Sequence, residues 1–186
     1  TTLQLVFPKA QPPQTDCDQI ADEGARFGCR HAGAVLSCEK REMDAARKWF
    51  EFFNAETNPF YRIVASELAA CLVAHGRGLS TDDKKRFTDR GDKGEPECET
   101  PACNRVPKLC EYCTSTTAKR AKYWADAREW ARAERDYERA ANASQNNEHL
   151  LGLVESRLHR FKALPVADLV KATNDLARMT NVSIEQ

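Results

Sequence analysis

The chain has 186 residues, and its 28 basic side chains balance 28 acidic ones, so it has no net charge that would attract nucleic acid or an acidic membrane surface. A chain of this length hides roughly 70% of its unfolded surface and can build a hydrophobic core without covalent support. No stretch contains the roughly 18 apolar residues that a membrane-spanning helix requires, so we expect neither a nucleic-acid partner nor membrane insertion.

The N-terminal segment, residues 1–14, is predicted to be an extended arm. Leu3, Leu5 and Phe7 alternate with other residues, as in a short strand, before three prolines interrupt the pattern.

Residues 15–89 are predicted to form the N-terminal helices. The first helix starts at Thr15 and closes near Gly28 and Gly33. The second starts at Ser37, whose hydroxyl can accept an amide hydrogen, and ends near Asn54.

The third and fourth helices have the clearest start signals. Asn58 followed by Pro59 is typical of an N-cap and a first helical position, and an apolar stripe continues from there to Gly76. This pattern predicts a central, buried helix. Ser80 begins a capping-box spacing that predicts a short charged helix over residues 81–89.

Residues 90–113 are predicted to form a cysteine-rich loop, because glycine and proline recur and half of the cysteines lie there. The loop begins with Arg90, Gly91 and Asp92. This tripeptide is a candidate binding motif of the integrin type if it lies at the tip of a cross-linked loop. Because loops are rich in all three residue types, chance occurrence is the alternative interpretation.

Residues 114–180 are predicted to be helical. Neither proline nor glycine occurs from about Ser115 to Ser144, which predicts one helix on the order of 40 Å long. Its aromatic residues lie at helical spacing: Tyr123, Trp124, Trp130 and Tyr137. A stripe of this kind faces either a core or a binding partner, and only burial separates the two cases.

Two further helices complete the predicted fold. One begins at Glu148, and Leu164 with Pro165 starts a last helix that ends near residue 180. We therefore predict an all-α protein, an irregular disulfide-stabilised bundle of about five to seven helices in a single domain over residues 1–186.

The cysteines indicate an oxidising compartment, since cytosolic proteins seldom place so many thiols in loops. We predict that all eight form disulfides: Cys17, Cys29, Cys38, Cys71, Cys98, Cys103, Cys110 and Cys113. The connectivity cannot be deduced from sequence. Cys29 and Cys38 bracket a predicted turn and could join two helices. Cys17 and Cys71 lie on apolar faces, where they could meet each other or reach the loop.

A zinc site is the alternative interpretation of the loop. Cys98 with Cys103 and Cys110 with Cys113 supply four thiolates, the number that a tetrahedral zinc ion takes. Only six residues separate the two pairs, however, whereas zinc ribbons and fingers use a spacer of about 12 to 20 residues. The zinc site would also leave the other four cysteines as free thiols.

No catalytic or cofactor motif is present. The sequence has no glycine-rich phosphate loop, no nucleophile elbow and no metal-binding histidine pair, so we expect no cofactor and no catalysis. The histidines are expected to be surface or helix-end residues: His31, His75, His149 and His159. Asn142 and Asn181 each begin an Asn-x-Ser triplet and are candidates for N-glycosylation.

These observations predict a secreted or surface-exposed interaction protein of the receptor-ectodomain, ligand or pathogen-effector type. It would bind another protein through a surface patch, without a reaction centre. The alternative is an intracellular or mitochondrial structural subunit whose loop cysteines bind zinc. An enzyme whose residues come together only in the fold is a third possibility.

Overall fold

The computed structural model describes residues 16–92, 107–144 and 146–161, and these residues are all-helical, as predicted. A short 3-10 turn, Asp16–Gln19, precedes seven α-helices in this part of the chain. They are α1 (Glu23–Glu39), α2 (Met43–Ala55), α3 (Pro59–His75), α4 (Thr81–Asp92), α5 (Pro107–Asp126), α6 (Trp130–Ala143) and α7 (Asn147–Phe161). The predicted N-terminal arm and last helix lie outside the described residues, and so does the loop segment at 93–106.

Four of these helices begin with side-chain caps, and at α7 the Asn146 side chain accepts a hydrogen bond from the Glu148 amide at 2.9 Å. The Asp22 carboxylate accepts a hydrogen bond from the Ala25 amide at 2.7 Å, and the Asn58 side chain accepts one from the Phe60 amide at 2.9 Å. The Ser80 hydroxyl accepts one from the Asp83 amide at 3.0 Å. Each cap satisfies an amide that has no partner within its helix. The predicted starts of α3 and α4 are therefore confirmed.

The predicted boundary between the first two helices is wrong. α1 continues through Gly28 and Gly33 to Glu39, and the Ser37 hydroxyl donates to the Gly33 carbonyl at 2.9 Å instead of capping a new helix. The helix is stabilised across its glycines because its face buries Ala34, Val35 and Cys38.

The predicted single helix over residues 115–144 is two helices, and α5 begins eight residues earlier, at Pro107. The break lies at Arg128, whose φ is 60°. The Arg128 amide bonds to the Ala125 carbonyl and the Glu129 amide to the Trp124 carbonyl. These two bonds make a Schellman motif, which ends α5 and turns the chain.

The chain divides into two compact units, residues 1–116 and 117–186, with the boundary inside α5. In the first unit, α1, α2 and α4 pack around α3, in which every residue from Ile63 to Leu72 is buried. Trp49, Phe50 and Phe53 of α2 fill the space beside it. The prediction that the third helix is central and buried is thus confirmed.

The second unit contains the end of α5 together with α6 and α7. Trp124 is fully buried there, and so is an ion pair in which Arg120 donates two hydrogen bonds to Asp136 at 2.7 and 3.0 Å. Arg157 and Arg160 of α7 pair with Glu134 of α6. The prediction of a single domain over the whole chain stays a prediction.

Candidate functional site

Four of the predicted disulfide cysteines form two bridges in the first unit. Cys17 pairs with Cys29 and attaches the 3-10 turn to α1, and Cys38 pairs with Cys71 and joins α1 to α3. The suggested pairing of Cys29 with Cys38 is wrong. Both lie on α1, about 13 Å apart along the helix axis at 1.5 Å per residue, which is beyond the reach of a disulfide.

The remaining described cysteines lie on α5. Cys113 is buried and disulfide-bonded, whereas Cys110 is a half-buried free thiol, so the prediction that every cysteine is paired is wrong at Cys110. Cys98 and Cys103 lie outside the described residues. Because the Cys113 sulfur is in a disulfide, it is not the thiolate that the four-cysteine zinc site requires.

No group of three metal-ligating side chains occurs anywhere in the described ranges. The described helices also include none that is both long and apolar enough to cross a lipid bilayer.

The tripeptide Arg90, Gly91 and Asp92 forms the last residues of α4 and not the tip of a loop. Gly91 is buried, and the Arg90 guanidinium donates to the Arg62 carbonyl at 2.8 Å. A receptor that contacts all three residues needs them in an extended conformation and exposed to solvent. The helical conformation therefore removes the basis for an adhesion motif at this place.

A hydrogen-bonded chain of three polar side chains crosses the interior of the first unit. His31 of α1 lies between Tyr112 of α5, whose hydroxyl is 3.1 Å from Nδ1, and Glu67 of α3, whose Oε2 is 2.9 Å from Nε2. The Glu67 side chain has no exposed area, and His31 keeps 13%. We call these three residues the His31 network. Side chains of these types can transfer protons in enzymes.

Both imidazole nitrogens of the His31 network are occupied. Burial raises the pKa of Tyr112, and the nearby Glu67 carboxylate raises it further, against a smaller lowering by the hydrogen bond with Thr116. Tyr112 therefore stays a phenol and can donate to Nδ1, which leaves the Nε2 proton to bond Glu67. The second Glu67 oxygen, Oε1, has no hydrogen-bond partner among the described residues, but the side chain has no exposed area, so a substrate in solvent does not reach it. The network as it stands links three helices.

Aromatic rings enclose the Tyr112 end of the network. Phe27 lies between Phe60, Tyr61 and Tyr112, with ring centroids 5.1 to 6.1 Å away. These distances are those of tilted and edge-to-face aromatic packing, so the rings fill this region. They support the interpretation of the His31 network as part of the core.

The His31 network was missed in the sequence, where His31 is expected at a surface or helix end. One signal for it was present, because Glu67 is an acidic residue inside the apolar run of α3. A buried carboxylate needs hydrogen-bond partners. Nothing local to the sequence indicates that α1 supplies the partner, His31, or that Tyr112 of α5 bonds to that histidine in turn.

An open depression of about 440 Å³ lies between α2 and α4, with Phe50 on its wall. Two of the cations that line it have acidic partners: Lys85 pairs with Asp89, and Arg86 pairs with Glu51 of α2 through two hydrogen bonds. The bond to Asp89 raises the pKa of Lys85. Both of these cations therefore already have acidic partners, and the Arg90 guanidinium at the same wall donates to the Arg62 carbonyl.

The aromatic stripe of the C-terminal region faces a core and not a partner. Tyr123 and Trp124 are buried, and the half-buried Trp130 stacks on His159 with ring centroids 4.1 Å apart. The exposed large apolar side chains of the described residues lie elsewhere: Leu36, Leu151 and Leu158.

The two glycosylation candidates fall in different parts of the chain. Asn142 is exposed in the last turn of α6, and Asn181 lies outside the described residues.

Comparison with protein-family models, curated proteins and solved structures finds no match to this chain.

Proposed function

We propose that this chain is a secreted or surface-exposed binding protein of the receptor-ectodomain, ligand or effector type. It recognises another protein and carries out no reaction. The observation that carries the proposal is the Cys38–Cys71 disulfide, whose two cysteines are 0% and 1% exposed within the core of the first unit. A covalent bond between the two helices at the centre of a core is typical of proteins that fold in an oxidising compartment.

The His31 network supports binding over catalysis. A general base needs a free nitrogen or oxygen within hydrogen-bond reach of a substrate proton. Both nitrogens of His31 are engaged by Glu67 and Tyr112, the unpartnered Oε1 of Glu67 has no exposed area, and packed aromatic rings surround the tyrosine. The network stabilises the contact of three helices, and recognition is left to the outer surface.

The test is the compartment in which the protein folds. The full-length gene product is expressed in cells of its own source, and free thiols are alkylated before the cells are lysed and fractionated. We expect the chain in the medium or at the cell surface, with Cys38 and Cys71 protected from the label. Recovery in the cytosol with both thiols labelled would overturn the proposal.

A further inference from the structure

Asn142 lies where α6 ends. Asn142 and Ala143 are the last two residues of the helix and are exposed, and Ser144 has extended backbone angles, with φ −143° and ψ 128°. The acceptor triplet therefore crosses a helix end, with the Asn142 side chain exposed to solvent. We propose that Asn142 is a site of N-linked glycosylation, an inference that rests on the proposed passage through a secretory compartment.

The chemistry needs one co-reactant, a lipid-linked diphosphate oligosaccharide of the secretory membrane. The Asn142 amide nitrogen forms a bond to the anomeric carbon of the first sugar and loses a proton, which the surrounding water takes up. The bond between that carbon and the diphosphate oxygen breaks, and the lipid diphosphate leaves with the electron pair. No oxidation or reduction takes place, and no residue of the folded protein is required as a catalyst.

The hydroxyl of the triplet is engaged in the folded chain. The Ser144 Oγ donates to the Ala140 carbonyl at 3.1 Å and lies 2.9 Å from His149 Nδ1. Transfer therefore takes place before these bonds form, during synthesis, when the chain is still extended. Once the helix has folded, the exposed Asn142 side chain leaves room for the sugar outside the second unit.

The fold does not depend on the Asn142 side chain for burial. Ala140 is the buried residue of this turn, at 1% exposed, whereas Asn142 points outward. A glycan attached there adds bulk in solvent and displaces no core atom. The structure thus accepts the modified residue without rearrangement.

The test uses the full chain secreted from a eukaryotic cell line and compares its intact mass before and after an amidase that removes N-glycans. We expect a mass decrease and an aspartate at position 142 in the released peptide. Asn142→Gln and Ser144→Ala should both abolish the modification at this position. Ser144→Thr is the matched control, since it keeps a hydroxyl and should keep the glycan.

The outcomes separate this inference from the proposed function. A secreted, disulfide-bonded chain with an unmodified Asn142 would overturn the glycosylation site and leave the binding proposal standing. A glycan found only at Asn181 would overturn it in the same way. A cytosolic chain with labelled thiols would overturn both.

Discussion

A close contact between α6 and α7 lies at Gly152, and it supports a quantitative prediction. A Cβ atom built at Gly152 would lie 2.4 Å from Cζ and 2.5 Å from Cε1 of the Tyr137 ring. Carbon atoms pack at about 3.5 to 4.0 Å, so the ring or the helix must move by about 1 Å in Gly152→Ala. Overpacking of this kind costs about 1 to 3 kcal/mol.

Gly28→Ala is the matched control. Gly28 also lies inside a helix, but a Cβ there meets nothing within 4 Å. Because alanine has the higher helix propensity, Gly28→Ala should stabilise α1 by up to about 1 kcal/mol, and Gly152→Ala has the same favourable propensity term in α7. The difference between the two variants therefore isolates the steric cost, and we expect Gly152→Ala to be the less stable by about 1 to 3 kcal/mol.

Denaturant unfolding followed by far-ultraviolet circular dichroism measures both variants against the parent protein. Thermal unfolding gives a second measurement, since in a chain of this size each kcal/mol of stability shifts the melting temperature by about 2 to 4 °C. Removing the ring with Tyr137→Ala should turn Gly152→Ala into a stabilising change. The reasoning is refuted if Gly152→Ala stabilises the parent protein as much as Gly28→Ala does.

Three other predictions follow from single contacts. Arg128→Gly, at a φ of 60°, should stabilise the protein by about 1 kcal/mol in thermal melts, because glycine adopts this conformation without a Cβ clash, and unchanged or lower stability would contradict it. Asp136→Ala leaves the buried Arg120 without its carboxylate and should cost about 3 to 5 kcal/mol in urea unfolding, so a loss below about 1 kcal/mol would contradict a desolvated pair. Because folding raises the pKa of Tyr112, the contribution of this residue to stability is intact below a pH of about 10 and falls as the pH rises above that value. Tyr112→Phe should therefore lessen the alkaline loss of stability when the free energy of unfolding is measured from pH 8 to 11. An unchanged dependence of that free energy on pH would refute the raised pKa of Tyr112.

Helix starts could be predicted from the sequence where the signal is a local side chain. Asn58 and Ser80 cap α3 and α4 as expected, because the hydrogen bond runs between residues two or three apart. Such a bond depends on the local chain alone. The apolar run of α3 likewise predicted a buried helix, since its residues are apolar on nearly every side.

The ends of α1 and α5 could not be predicted, because the residue in the left-handed position is an arginine in both cases. At the end of α1, Arg41 has a φ of 63°, its amide bonds to the Cys38 carbonyl, and the Glu42 amide bonds to the Ser37 carbonyl. This is the Schellman pattern seen again at Arg128. Glycine is the usual residue there, so the sequence favoured ends at the glycines, which lie inside α1 instead.

The His31 network also lay beyond sequence analysis for a physical reason. Its three residues are 36 to 81 positions apart, and they meet only because α1, α3 and α5 pack together. The disulfide pairing has the same dependence, since Cys38 faces Cys71 once α1 continues past Gly33. Periodicity predicts which face of a helix is buried, but not which neighbour covers it.

The most direct test of the central claim is a peptide map of the non-reduced protein, purified from its natural source after alkylation of free thiols. We expect peptides linked through Cys17 and Cys29 and through Cys38 and Cys71, together with an alkylated Cys110. Alkylated Cys38 and Cys71 would contradict a covalently joined core, and with it the proposal that this chain folds and acts outside the reducing interior of the cell.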